Sequence, residues 1–107
     1  MKRPGEEWLE LAKIDLRTIE RIIDDPTLAS AAAFHSQQCI EKSFKAILEA
    51  RAGDVPRTHD LVLLYGKVTK LESIHIDEHI LTMVNETYIE TRYPTMSSDD
   101  EMNIPSL

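Results

Sequence analysis

The stretch TLASAAAFHSQQCIEKSFKAILEARAG, residues 27–53, decides the fold of this 107-residue chain. Its apolar residues recur every three or four positions, and the closing Gly53 is typical of the left-handed residue that ends a helix. The pattern predicts one helix over about residues 27–52. At roughly 1.5 Å per residue this helix would span about 40 Å, so we expect it to contact several neighbouring helices.

Three further segments have the same apolar spacing, and no segment shows the alternation typical of a strand. They predict helices over about residues 6–23, 59–71 and 77–91, and leave room for only a short fifth helix after residue 96. The fold class is therefore all-α. The side chains expected to face inward from the first and last of these helices are Trp8, Leu9, Ala12, Leu16, Ile19, Ile22 and Ile23, and Ile80, Leu81, Val84, Thr87 and Tyr88.

The charge of the chain is uneven along its length. Twelve basic and 19 acidic residues give a net charge of −7, and residues 72–107 carry one basic and eight acidic side chains. Because nonspecific nucleic-acid binding needs many lysines and arginines, this balance argues against it. A small basic pocket for one anionic ligand, or an RNA site built from two subunits, stays compatible with it.

Composition also predicts the compartment and the number of domains. No apolar run approaches the roughly 20 residues of a membrane span, and the N-terminal region lacks the apolar stretch of a secretory signal. The single cysteine, Cys39, cannot form an internal disulfide. We expect a cytoplasmic protein with no membrane contact and one domain over residues 1–107, its core at about 6–95 and a short acidic tail at 96–107.

The long helix carries the first group of candidate functional residues. They form a polar strip that contains His35, Gln38, Lys42, Lys45 and Glu49. Spacings of three and four residues place these side chains on one face of the helix. One interpretation is a solvated face, and the other is a binding site of convergent polar groups beside an apolar core.

Two other segments carry candidates for anion contact. Arg57 has a planar donor group suited to phosphate, and His59 is a side chain type that titrates near neutral pH. The alternative for this segment is that Thr58 or Asp60 caps the next helix. Farther along, Arg92 fits an anion or partner site in which the adjacent Tyr93 is an aromatic platform. The alternative is that Arg92 complements the dipole at the end of the last helix and pairs with Glu90 or Asp99.

Several chemistries lack their residues. His75 and His79 have a spacing that suits metal chelation on a helix, but no third ligand is evident, so we predict no metal and no cofactor. The chain has no glycine-rich phosphate loop and no nucleophile elbow. Cys39 lies within an apolar helical pattern and is not expected to be a nucleophile.

Three blocks of sequence together resemble the HEPN family of small prokaryotic helical domains. The blocks are AFHSQQCIEK with KAIL at residues 33–48, PRTHDL at 56–61, and TRYP at 91–94, and the similarity covers about residues 6–100. The resemblance implies an up-and-down antiparallel bundle of four helices plus a short fifth one. It also implies a homodimer, often encoded beside a minimal nucleotidyltransferase in a toxin–antitoxin-like pair.

Many HEPN proteins cut RNA without a metal, using an arginine, four to six intervening residues and a histidine. This chain departs from that pattern, because Arg51 precedes His59 by seven intervening residues, Arg57 precedes it by one, and no histidine follows Arg92. The resemblance therefore favours a non-catalytic domain that binds a nucleotide or RNA phosphate and acts with a nucleotidyltransferase partner.

The residues expected at the ligand are Arg57, His59, Lys42 and Arg92 for anion contact, with His35, Gln38 and Tyr93 shaping the site. Two alternatives stay open. One is a HEPN endoribonuclease toxin with His59 as general acid or base and Arg57 or Arg92 stabilising the negative charge. The other is a purely structural dimerisation module.

Overall fold

The computed structural model describes residues 2–92, and side chains as far as residue 86. The helices within this range are α1 (Glu6–Ile22), α2 (Ala29–Ala52), α3 (Leu61–Val68) and α4 (Glu78–Arg92), with a 3-10 turn at Pro26–Leu28. No strand occurs in residues 2–92, which confirms the all-α prediction for that range. The predicted short fifth helix lies outside the described residues.

Local capping explains where the helix bounds differ from the predicted ones. The Asp25 carboxylate accepts a hydrogen bond from the Thr27 N–H at 3.0 Å, and the proline that follows Asp25 starts a 3-10 turn instead of the first turn of α2. The third helix was predicted from residue 59 but begins at Leu61, because Asp60 caps it. Gly53 ends α2 with φ 73°, as expected.

The hydrophobic core lies between α2, α3 and α4. Its buried members are Phe44, Leu48, Leu61, Leu64, Tyr65, Val68 and Leu81. The Tyr65 hydroxyl also accepts a hydrogen bond from the Ile76 N–H at 2.8 Å and donates one to the Ile74 carbonyl at 3.2 Å. These two bonds fix the loop between α3 and α4 against the core.

The first helix packs on a different side of α2 and runs antiparallel to it. At the start of α1, Gly5 adopts φ 89° and lies so close to α2 that a Cβ would collide with the Ala46 carbonyl oxygen. Farther along α1, Asp15 contacts His35 and Lys42, which are nearer the start of α2. These contacts set the direction of α1; the complete up-and-down bundle stays a prediction.

The predicted inward face of α1 is partly wrong. Leu9, Leu16 and Ile23 are 43%, 48% and 60% exposed, whereas Ala12 and Asp15 are buried. The cause is that α1 packs mainly against α2, so only a narrow stripe of α1 is covered by the described residues. On α4, Leu81 is buried as predicted but Ile80 is 52% exposed.

In the described range, each helix is too short or too polar to cross a lipid bilayer.

Candidate functional site

Two carboxylates are buried between the helices, and each one is neutralised in the same way. Asp15 of α1 is 5% exposed and Glu41 of α2 is 4% exposed. A buried carboxylate is costly unless it is paired and hydrogen-bonded. In both cases the partners are one lysine and one histidine, so the described part of the chain contains two carboxylate–lysine–histidine clusters.

The Asp15 cluster connects α1 to α2. Asp15 Oδ1 lies 2.8 Å from His35 Nδ1, and Asp15 Oδ2 accepts a hydrogen bond from Lys42 Nζ at 2.9 Å. The His35 and Lys42 side chains are 30% and 21% exposed. The carboxylate is thus inside, and the two basic side chains reach the surface.

The Glu41 cluster connects α2 to the loop before α3. Glu41 Oε2 accepts from Lys45 Nζ at 2.8 Å and lies 3.0 Å from His59 Nδ1. Gln37, which is fully buried, donates to Glu41 Oε1 at 3.1 Å. The Lys45 ammonium also lies 5.3 Å from the centre of the Trp8 ring, a cation–π contact from α1.

The helical repeat places these groups. Gln37, Glu41 and Lys45 follow one another at four-residue spacing, so their side chains stack along one edge of α2. His35 and Lys42 are seven residues apart and therefore lie on a neighbouring edge. Between the two clusters is Gln38, which donates to Gln37 Oε1 at 2.7 Å.

A capping arrangement positions His59. The next residue, Asp60, accepts hydrogen bonds from the backbone N–H groups of Val62 and Leu63, and the Asn85 amide of α4 donates to it at 2.9 Å. Asn85 also accepts from the Leu61 N–H at 2.9 Å. The alternative that Thr58 or Asp60 caps α3 is confirmed for Asp60, and the cap holds the loop that carries Arg57 and His59.

The charges of the two clusters balance. The formal charges of Asp15, Glu41, Lys42 and Lys45 sum to zero. Arg57, two residues before His59, is exposed and has no ion pair with any residue in the described range. Arg57 is therefore an exposed permanent charge in the loop that carries His59.

Five of the seven predicted site residues have side chains that the structure describes, and they are divided between the two clusters and the loop before α3. His35 and Lys42 share Asp15, His59 and Gln38 join the Glu41 cluster, and Arg57 lies in the same loop as His59. The Arg92 side chain and all of Tyr93 lie outside what the structure describes.

The polar strip is not a simple solvated face. Lys45 is 6% exposed, and Glu49 is half-buried.

Asp15, Gln37 and Glu41 are not among the predicted site residues. A signal for the two acids was present, because Asp15 lies three residues after Ala12 and four before Ile19, and Glu41 lies three residues before Phe44 and seven before Leu48, each within the apolar arc of its helix. An acid inside an apolar arc indicates a buried charge that needs a partner. The basic partners of Asp15 depend on how α1 packs on α2, whereas Lys45 lies four residues after Glu41 on the same helix.

The remaining candidates stay outside the clusters. Burial raises the pKa of the Cys39 thiol, and the negative charge of Asp15 raises it further, so Cys39 is a poor nucleophile. His75 and His79 are exposed, and the described residues contain no group of three or more side chains able to hold a metal. A groove of about 540 Å³, lined in part by Arg3, Leu9 and Ile47, lies beside the start of α1.

The helices and clusters define a small all-α domain with a buried ionic site beside one exposed arginine. The HEPN domain family model matches residues 5–104, which is nearly the whole chain. The chain therefore belongs to the HEPN family. No curated protein and no solved structure shows a significant match to it.

Proposed function

We propose that this protein is a non-catalytic HEPN domain that binds a nucleotide or an RNA phosphate. The observation that carries this proposal is that two buried carboxylates hold Lys42, His35 and His59, while Arg57, in the loop of His59, has no ion pair within the described residues. Arg57 would contact the phosphate, and the two histidines would add hydrogen bonds beside it. The buried carboxylates would hold the basic side chains in place before the ligand arrives.

The proposal also agrees with the absence of the usual ribonuclease spacing. One intervening residue separates Arg57 from His59, instead of four to six. An arginine so near in sequence belongs to the same loop, which suits the binding of one phosphate group.

The test is a combined binding and cleavage assay with end-labelled RNA and purified protein. We expect wild-type protein to bind RNA without cutting it, and Arg57→Ala to weaken binding about tenfold, the loss of one charge-assisted contact. Arg17→Ala is the matched control, because Arg17 is exposed on α1, away from the clusters. Equal binding by wild type and Arg57→Ala would refute the proposed site.

A second candidate function, a metal-independent endoribonuclease, is favoured by one specific observation. The His59–Glu41 contact is the kind of histidine–carboxylate pair that orients a general acid or base. In this case His59→Ala abolishes RNA cleavage while the circular dichroism spectrum stays unchanged. Cleavage by wild type that is lost in both His59→Ala and Arg57→Ala would replace the binding function with this one.

We also propose that the protein works as a homodimer, with a minimal nucleotidyltransferase as its partner in a toxin–antitoxin-like pair. Support for the dimer is the line of half-exposed apolar side chains on α1 at seven-residue spacing, Leu9, Leu16 and Ile23. Support for the partner is membership of the HEPN family. A second copy is also expected to complete the up-and-down bundle around α1.

The cytoplasm is the compartment we propose for this activity, because nucleotides and RNA are available there and the lone Cys39 needs no oxidising environment.

Co-purification of the tagged chain with the product of a neighbouring nucleotidyltransferase gene tests the partner. If the protein is only a structural dimerisation module, it forms the dimer but binds no nucleotide or RNA. Arg57→Ala then changes neither the dimer nor the result of the binding assay.

A further inference from the structure

We infer that α1 packs antiparallel against α1 of a second copy of this chain, with Leu16 at the two-fold axis and Ile23 of the partner subunit seated in the groove beside Leu9. This inference rests on the dimer part of the proposed function and adds to it the direction of the helices, their register and the occupant of the groove.

The exposed apolar line of α1 allows two ways of pairing. Leu9, Leu16 and Ile23 are exposed and lie seven residues apart. In a two-fold dimer both copies use the same surface. All three side chains are covered if parallel helices place each residue against its own copy. They are also covered if antiparallel helices place Leu16 against Leu16 of the partner subunit and Leu9 against Ile23 of the partner subunit.

Two charged side chains beside the line favour the antiparallel pairing. Lys13 and Glu20 are exposed and make no ion pair within the described residues. Each lies four residues after a member of the line, Leu9 or Leu16, so both are on the same flank, the one away from the buried Ala12.

The direction of the helices decides whether these two charges meet. In the antiparallel pairing, Lys13 and Glu20 of the partner subunit lie on the same flank and differ in height by about 1.5 Å, the rise of one residue. In the parallel pairing they lie on opposite flanks and about 10 Å apart in height. The antiparallel dimer therefore forms this ion pair twice, by symmetry.

The groove of about 540 Å³ provides the place for Ile23 of the partner subunit. Its apolar lining residues are Pro4, Leu9, Ala46, Ile47 and Ala50. The antiparallel pairing brings Ile23 of the partner subunit to the height of Leu9, beside these residues. The exposed Asp24 of the partner subunit then approaches Arg3 at the rim, which makes no side-chain ion pair in the described range. Apolar and charged groups thus match in the same arrangement.

Disulfide cross-linking tests the direction and the register. Leu9→Cys and Ile23→Cys are made separately in a Cys39→Ala background, mixed, and oxidised with glutathione. We expect the two variants to link to one another and neither to link to itself, because identical positions are about 21 Å apart along the helices and a disulfide needs Cα atoms within about 7 Å. Leu11→Cys mixed with Ile23→Cys is the matched control and should not link, since Leu11 projects from another side of α1.

Leu16→Cys separates this inference from the dimer itself, because it links to its own copy in either direction. If Leu16→Cys links and Leu9→Cys links to itself, the helices are parallel. If Leu16→Cys links and the mixture of Leu9→Cys with Ile23→Cys does not, the register is wrong. Both results overturn the inference and leave the proposed dimer intact. Failure of Leu16→Cys to link overturns the inference together with the proposed dimer contact.

A charge exchange tests the ion pair. Lys13→Glu and Glu20→Lys each bring like charges together in their own dimers, whereas a mixed dimer of the two variants restores both pairs with the signs exchanged. We expect each variant alone to dimerise about tenfold more weakly than wild type, and the equimolar mixture to recover wild-type affinity in sedimentation experiments. Arg21→Glu, exposed on another side of α1, is the control and should dimerise like wild type. A mixture no tighter than its two components overturns the inference.

Discussion

At the scale of single residues, two buried acids contribute to the stability of this domain and also contact its candidate site residues. Asp15 and Glu41 are buried among apolar side chains and are tolerated only because a lysine and a histidine reach each of them. These acids could be found in the sequence as charges inside apolar arcs, and four-residue spacing indicates Lys45 as a partner of Glu41, but the other partners could not be found. His59 reaches Glu41 from 18 positions away, and Lys42 reaches Asp15 from 27 positions away, so only the packing of separate elements brings them together.

Removing one partner from a buried ion pair should be costly. We expect Lys45→Ala to lower the free energy of unfolding by about 3 kcal/mol, because Glu41 loses its ammonium partner while it stays buried. Urea denaturation followed by circular dichroism measures the change. Lys67→Ala, at an exposed position on α3, is the control and should stay within about 0.5 kcal/mol of wild type. A similarly small effect for Lys45→Ala would mean that the ion pair with Lys45 is not needed to keep Glu41 buried in the folded protein.

Cys39 should react slowly with thiol reagents. Burial, followed by the charge of Asp15, raises the pKa of this thiol, so a smaller fraction is thiolate at pH 8 than for a free cysteine. We expect iodoacetamide to alkylate the folded protein several times more slowly than the urea-unfolded protein. Asp15→Asn removes one cause of the raised pKa and should speed the folded reaction, as read by mass spectrometry. Equal rates for folded and unfolded protein would contradict the raised pKa.

At the scale of elements, periodicity predicted the four helices, and capping decided where they begin. The buried face of α1 was predicted less well than the helix itself. Its apolar residues cover a wider arc than the stripe that contacts α2. The periodicity of apolar residues does not distinguish the exposed line of Leu9, Leu16 and Ile23 from the buried positions beside it. Periodicity identifies which residues are apolar on a helix, and only the neighbours determine which of them are covered.

The cap of α3 is the element-scale feature that a single substitution can test. Asp60→Ala removes the acceptor for the N–H groups of Val62 and Leu63, so we expect a loss of about 1 kcal/mol in the free energy of unfolding. Asp60→Asn keeps an acceptor oxygen and should recover most of this loss in the same urea titration. Equal stability of the alanine and asparagine variants would show that the cap contributes little.

At the scale of the whole molecule, the two sides of α1 should behave differently. Leu16 belongs to the line proposed as the dimer contact, whereas Leu11, also exposed, projects from another side of the same helix. We expect Leu16→Glu to convert the dimer to a monomer in sedimentation experiments, because burying a carboxylate in an apolar contact is costly. Leu11→Glu is the matched control and should stay dimeric. A monomeric wild type, or dimers in both variants, would contradict this assignment.

The eight-residue length of α3 has a consequence for folding order. A helix this short is not stable by itself in water, and its first N–H groups depend on Asn85 of α4 as well as on Asp60. The two helices should therefore open together as one cooperative unit. Native-state hydrogen exchange should give the amides of Leu64 and Val68 the same opening free energy as the amide of Leu81. If Leu64 and Val68 open at a lower free energy than Leu81, α3 unfolds separately from α4.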